Sequence, residues 1–180
     1  MNMIITVGGL AGTGTSTVSR MISDRLNLDY LYAGDVFRKE AAKRNMSLLE
    51  FGRLAEEDHD IDIKLDNMVK DIATKGDILV EGRIAARVLD EMKPIKIWFE
   101  CDDEIRFERV AHRDGITVKD AKERTLEREK SERKRYMEIY GFDYMKLSQY
   151  DIIIDTSYIG PEDIAEQIID AVLHLSTQTG

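Results

Sequence analysis

The run Gly8-Gly9-Leu10-Ala11-Gly12-Thr13-Gly14-Thr15-Ser16-Thr17 is nearly a phosphate-binding loop. The pattern G-x-x-x-x-G-K-[ST] starts at Gly9, reaches Gly14 and ends on Thr15-Ser16. Only its lysine is missing, and Thr15 stands in that place. Glycines let the backbone curl so that successive N–H groups face one concavity suited to phosphate oxygens. A helix beginning here adds its N-terminal partial positive charge. Ser16 falls where a hydroxyl can hold a magnesium ion. A plain turn needs neither Gly9, Gly12 and Gly14 together nor the hydroxyl run that follows. The rival dinucleotide fingerprint, G-x-G-x-x-G, would have to use Gly12 to Thr17 and lacks its third glycine; it is weakened, not removed. Phosphate bound in this loop needs positive charge from elsewhere in the chain.

Three other segments offer it. In Tyr32-Ala33-Gly34-Asp35-Val36-Phe37-Arg38, Gly34 permits a turn, Asp35 can cap a helix, and Arg38 falls on that helix's first turn. A planar guanidinium there can grip a phosphate with two hydrogen bonds, although a solvated surface arginine has the same signature. Glu81-Gly82-Arg83 ends an apolar run with two opposite charges. Its acid could hold magnesium through water, or simply pair with a nearby arginine. From Lys119 to Arg135 there are eight basic and five acidic residues, a local charge of +3 in a chain of net charge −9. Arg124, Arg128 and Glu132 are four apart and Arg135 is seven beyond Arg128, so a helix puts them on one face. Charge runs are usually solvated faces, but the local sign and the phosphate loop together favour arginines that close over polyphosphate.

The elements that must carry these residues alternate. Apolar runs predict strands at Met3–Val7, Tyr30–Ala33 (ended by Gly34), Ile78–Val80, Ile95–Phe99 and Ile152–Ile154. Helical spacing predicts helices over Thr15–Leu26, Asp35–Arg44, Ser47–Glu57, Ile61–Lys75, Ile84–Glu91, Asp103–Arg113, Thr117–Tyr140 and Pro161–Leu175. Ser47 with Glu50 is a capping-box signature, and a break near Ser131 is allowed for in the long helix. The expectation is an α/β fold, a five-stranded parallel sheet sandwiched by helices. Such sheets bind ligands at the carboxyl ends of their strands, where all of these segments fall.

Composition narrows the partners. The 180 residues suit one domain with a sizeable core. A net charge of −9 argues against nucleic acid or an anionic membrane as partner. The single Cys101 leaves no internal disulfide framework and suits a reducing cytoplasm. His59, His112 and His174 share no metal-ligand spacing. The apolar start has no basic region before it, and no stretch approaches a membrane span.

Together, Gly9–Thr17, Ala33–Arg38, Glu81–Arg83 and Arg128-Glu129-Lys130-Ser131-Glu132-Arg133-Lys134-Arg135-Tyr136 resemble, in order and spacing, the nucleoside monophosphate kinases. Among these, the chain is most similar to cytidylate kinases of the archaeal type, whose loop also carries threonine in the lysine slot. The resemblance implies one kinase domain: a core, a monophosphate-binding insertion over about Asp35–Lys75, and a LID over about Ile116–Lys134. It implies that ATP phosphates are held by Gly9, Leu10, Ala11, Gly12, Thr13, Gly14, Thr15, Ser16 and Thr17, with Ser16 on magnesium and Arg109 against the donor adenine. The acceptor, CMP or dCMP, would be held by Gly34, Asp35, Arg38, Arg83 and Glu132. Bacterial relatives carry aspartate at the position of Glu132. Arg128 and Arg135 would bridge the acceptor and transferring phosphates, and with Arg83 they would form the catalytic set. A cytoplasmic monomer is expected. Other small acceptors (AMP, UMP, shikimate) remain as alternatives. A non-catalytic nucleotide switch is disfavoured because no Asn-Lys-x-Asp is present.

Overall fold

A computed structural model describes residues 3–178. Its centre is a sheet of five parallel strands: β1 (Ile4–Gly9), β2 (Asp29–Tyr32), β3 (Ile78–Glu81), β4 (Ile95–Glu100) and β5 (Ile152–Asp155), in the spatial order β2-β3-β1-β4-β5. The central strands read as near-continuous apolar runs because both of their faces are covered. Ile5 and Val7 of β1, with Leu79, Ile97 and Phe99 beside them, pack on α1 (Thr15–Leu26) and α8 (Pro161–Gln178). On the opposite face, Val80 meets Val69 and Ala73 of α4 (Asp60–Ala73) and Ala85 of α5 (Ala85–Val88). Trp98, also on that face, packs on Tyr144 and Tyr150.

Between β2 and β3 the chain builds α2 (Ala33–Lys43), α3 (Leu48–Glu57) and α4 around a small core of their own: Ala41, Phe51, Ala55, Ile61 and Leu65. The capping box forms. The Ser47 hydroxyl accepts from the Glu50 N–H at 3.2 Å, and the Ser47 N–H donates to the Glu50 carboxylate at 2.8 Å. After β4 come α6 (Asp103–Asp114) and α7 (Val118–Tyr140).

Three sequence expectations change. Gly34 does not end β2; it lies inside α2, which begins a residue earlier at Ala33. The helix expected over Ile84–Glu91 is one turn, Ala85–Val88, followed by a tighter turn over Asp90–Met92. Pro94 disfavours helical backbone just ahead of itself, so the chain closes with i→i−3 bonds, Met92 N–H to Leu89 O at 2.8 Å and Lys93 N–H to Asp90 O at 3.0 Å. The long helix does not break at Ser131. That hydroxyl donates outward to Glu56 of α3 at 2.5 Å instead of competing for its own backbone.

Because the chain leaves β1 toward one edge of the sheet and leaves β3 toward the other, a crevice opens at the carboxyl ends of β1 and β3. The phosphate loop and the turn after β3 both end there.

Candidate active site

The loop from Gly9 to Ser16 holds its shape through backbone geometry. Gly12 and Gly14 adopt φ of 87° and 86°, left-handed values that side chains rarely take. A Cβ on Gly12 would stand 2.2 Å from the Arg106 carbonyl oxygen, so glycine is required twice over. The Thr13 hydroxyl donates to the Leu10 carbonyl at 2.8 Å, and the Thr156 hydroxyl donates to the Thr13 carbonyl at 2.7 Å. Helix α1 begins directly after Gly14, and its first-turn N–H groups have no acceptor within the helix.

Thr15, in the lysine slot, points its hydroxyl at β3. Thr15 Oγ1 and Ser16 Oγ both donate to Glu81 Oε1 at 2.7 Å, and the Tyr30 hydroxyl donates to Glu81 Oε2. Glu81 is buried among hydroxyl donors and pairs with no arginine. Burial, reinforced by Glu81, pushes the Tyr30 hydroxyl above its ordinary range. The Ser16 hydroxyl and the Glu81 carboxylate are hard oxygen donors side by side next to the loop. Magnesium is commonly bound through one or two such protein oxygens, with phosphates and water completing its shell, so this pair fits it.

Across the crevice the chemistry is ionic. Glu132 of α7 accepts from Arg83 Nε at 2.9 Å and from Arg128 Nε at 2.7 Å. Arg83 also donates to the Gly9 carbonyl, so the turn after β3 touches the phosphate loop. Burial alone would raise the Glu132 carboxyl, but the guanidinium groups of Arg83 and Arg128 outweigh it and hold it at about 2. The Arg128 side chain stays 41% exposed while Glu132 is only 9% exposed, so Arg128 can reach a ligand without breaking the packing. Arg38 rests over the Tyr32 ring and bonds to Asp35 at 3.1 Å and to the Tyr32 hydroxyl at 3.3 Å.

These groups line one cleft of about 610 Å³, shared by the loop, Gly34, Arg38, Arg83, Arg128 and Glu132. Asp35 lies one turn before Arg38, as its ion-pair partner. Arg135 lines the same cleft but is buried. Its Nη1 donates to Ser131 Oγ at 3.1 Å within α7, and its Nε donates to Asp62 at 2.7 Å, which ties α7 to α4. Arg109 lies on the other side of the loop. Its guanidinium donates to the carbonyls of Gly12 at 3.5 Å, Thr156 at 2.9 Å and Ser157 at 3.2 Å.

Sequence reasoning missed Arg106 and Glu129. Arg106, one turn before Arg109 on α6, is 2% exposed and donates to both Glu129 oxygens at 3.0 and 3.3 Å. Glu129 in turn accepts from the Ala11 N–H at 3.3 Å. An ion pair from α6 to α7 therefore braces the start of the phosphate loop. Its one signal in the sequence is Arg106 four residues before Val110, on the face of α6 that is buried.

A parallel sheet with a glycine loop running into a helix, and arginines from α7 lining the same cleft, defines a phosphotransferase of the P-loop class. Solved structures show the same fold. An uncharacterized protein from Eubacterium ventriosum superposes with a TM-score of 0.73 at 19% identity, over 94% of this chain and 98% of that one. A gluconokinase from Sinorhizobium meliloti gives 0.65 at 12% identity, over 99% and 95%. The family is shown by sequence: residues 4–158 match the model of the cytidylate kinase-like family, and the chain belongs to it. The cytidylate kinase of Methanopyrus kandleri is 46% identical over 166 residues, covering 87% of this chain and 86% of that protein. That of Methanocaldococcus jannaschii is 42% identical over 176 residues, covering 96% and 99%.

Proposed function

We propose that this cleft transfers the γ-phosphoryl group of ATP to the phosphate of CMP or dCMP, giving ADP and CDP or dCDP. The observation that carries the reading is the pairing of a lysine-less phosphate loop with three arginines, Arg38, Arg83 and Arg128, in one cleft of a cytidylate kinase-like chain. ATP phosphates would lie in the loop from Gly9 to Thr17, on backbone N–H groups and the N-terminus of α1. Arg109, beside the loop on α6, would face the donor base. Arg38 and Arg83 would grip the acceptor phosphate, which sits on the insertion side (35–75). Arg128, on the LID segment (116–134), would reach the transferring group.

An oxygen of the acceptor phosphate attacks the γ-phosphorus in line as the bond to the ADP oxygen breaks. The attacking oxygen is already ionised, so no side chain has to remove a proton. Positioning and charge neutralisation then dominate. Ser16 with Glu81 would hold magnesium, which would supply positive charge to the phosphates. Glu132 holds Arg83 and Arg128 together and aimed at the cleft, where it would also meet the acceptor nucleoside. Arg135 acts from its buried pair with Asp62, fixing the distance between α7 and the insertion. Water is kept from the γ-phosphate by contact of α7 with α3, through Lys134 and Glu56 at 3.0 Å and Arg53 and Glu127 at 3.2 Å.

No helix among the described residues is long and apolar enough to cross a membrane. A cytoplasmic monomer completes the reading. The test is initial-rate phosphorylation of CMP, dCMP, UMP and AMP with ATP and magnesium. CMP or dCMP is expected to be the best acceptor, and a panel in which AMP or UMP exceeds both overturns the assignment.

A further inference from the structure

The cleft has two chemically different kinds of lining. Arg38, Arg83 and Arg128 stand at the sheet edge. The same lining also holds apolar and aromatic side chains, Phe37, Leu65, Val69, Val88 and Tyr136. Such a slot suits a flat base, with a few polar groups left to orient it. Two carboxylates one turn apart on α4, Asp62 and Asp66, interrupt this lining. Asp62 is engaged by the Arg135 guanidinium. Asp66 is not: its partner is neutral, the Tyr140 hydroxyl, which donates to Oδ2 at 2.5 Å. The other oxygen, Oδ1, accepts no hydrogen bond among the described residues, and Asp66 lines the cleft.

We propose that Asp66 selects the acceptor base, its carboxylate accepting a hydrogen bond from the exocyclic 4-amino group of cytosine. The proposal rests on reading the cleft as a CMP kinase site. An ionised carboxylate only accepts hydrogen bonds. Cytosine presents an N–H donor at C4, where uracil presents a carbonyl oxygen. Uracil in the same pose would set acceptor against acceptor in a largely desolvated slot, which costs far more than a missing contact.

The surroundings of Asp66 make this selection depend on pH. Burial raises its carboxyl to about 7, opposed by the Tyr140 hydroxyl and Arg135 and aided by Asp62. The other charged or titratable groups nearby are Glu132 and Tyr136 on α7, and Arg87 of α5, which lies over the Tyr140 ring. On α4 itself, Lys70 is paired with Glu91, and His59 at the head of the helix is bonded to Glu138. A neutral carboxyl offers one donor and one acceptor and can match the edge of either pyrimidine. Preference for CMP over UMP therefore rises as pH rises through about 7. Titration of the acceptor phosphate is common to both nucleotides and cancels in their ratio.

The experiment is the ratio of kcat/KM for CMP to that for UMP, at about pH 6 and about pH 8.5, so that Asp66 titrates and lysines do not. Wild type, Asp66→Asn and Tyr140→Phe are compared. For wild type the ratio is expected to be about tenfold higher at the upper pH. The amide of Asp66→Asn can turn either way, so the ratio should fall about tenfold or more at the upper pH and lose its pH dependence. Tyr140→Phe removes a donor that favours the ionised form, so the pH midpoint of the wild-type ratio should move upward. A ratio unchanged in Asp66→Asn, with wild type still preferring CMP, overturns the role of Asp66 alone. Wild type that phosphorylates neither pyrimidine overturns the kinase reading and the proposal with it. If Asp66→Asn does not melt cooperatively, an unmoved midpoint in Tyr140→Phe overturns the proposal.

Discussion

The two halves of the cleft that we assign to donor and acceptor are built by different means. The donor half is backbone. Gly12 and Gly14 set the curve, the N-terminus of α1 supplies polarity, and Thr15 and Ser16 are neutral groups tied to Glu81. The acceptor half is side chains. Arg83 from the turn after β3 and Arg128 from α7 share Glu132, while Arg135 locks onto Asp62 of α4. A backbone site is preformed and electrically mild. A side-chain site is strongly charged, and its charges stay in place only because each is paired. The missing lysine belongs to this division of labour, because cationic charge has been moved from the loop to elements that meet it across the crevice.

Breaking the acceptor half should cost most in catalysis. Arg83→Ala removes the proposed phosphate grip and the hydrogen bond to the Gly9 carbonyl, and leaves Glu132 with Arg128 alone. Loss of an arginine that stabilises phosphoryl transfer costs about 10³- to 10⁵-fold, and kcat/KM for CMP is expected to fall within that range. A loss under about tenfold would place the acceptor phosphate elsewhere.

The seam between the halves should cost stability. Glu129→Ala leaves the buried Arg106 guanidinium without its main partner, a change worth about 3–5 kcal/mol when one member of a buried pair is removed. It also removes the acceptor of the Ala11 N–H. Chemical denaturation should show the loss, and isothermal titration should show weaker ATP binding with CMP binding little changed. Equal weakening of both nucleotides would mean that the brace serves the whole fold and not the loop.

The smallest effect is that of acid. Glu132 has a folded pKa of about 2 against an ordinary 4.5 because Arg83 and Arg128 outweigh burial. A carboxyl depressed in the folded state stabilises fully above its unfolded pKa and loses that contribution as pH falls through its folded one. Melting temperature should therefore fall between about pH 4.5 and about pH 2 in wild type. The fall should be shallower in Glu132→Gln, and parallel profiles would show that Glu132 does not hold the arginines together.

The same contrast explains what the sequence could tell. The strands, the glycine loop and the Ser47 capping box depend on neighbours within a few residues, and all three were readable. Arg38, Arg83, Arg128 and Glu132 could be nominated because they follow strands or share a helix face. Their pairing could not, since Arg83 and Glu132 are 49 residues apart in the chain. Arg106 and Glu129 could not be paired for the same reason: each looks like a solvated helix charge until α6 and α7 are packed on the loop. The exposed-looking Arg135 is buried because Asp62, 73 residues earlier, lies opposite it. The helix over Ile84–Glu91 is expected too long because helical spacing continues past Val88, where the chain ahead of Pro94 in fact tightens into a shorter turn over Asp90–Met92.

The central claim is that arginine charge from α7 replaces the absent loop lysine in the transition state. Steady-state kinetics of Arg128→Ala with ATP, magnesium and varied CMP test it most directly. An interaction made only in the transition state lowers kcat with little change in KM. The account predicts kcat reduced by about 10³-fold or more, with KM for CMP within about threefold of wild type. A variant with wild-type kcat and a raised KM would contradict it, showing Arg128 to be a binding group and leaving the loop's missing charge unexplained.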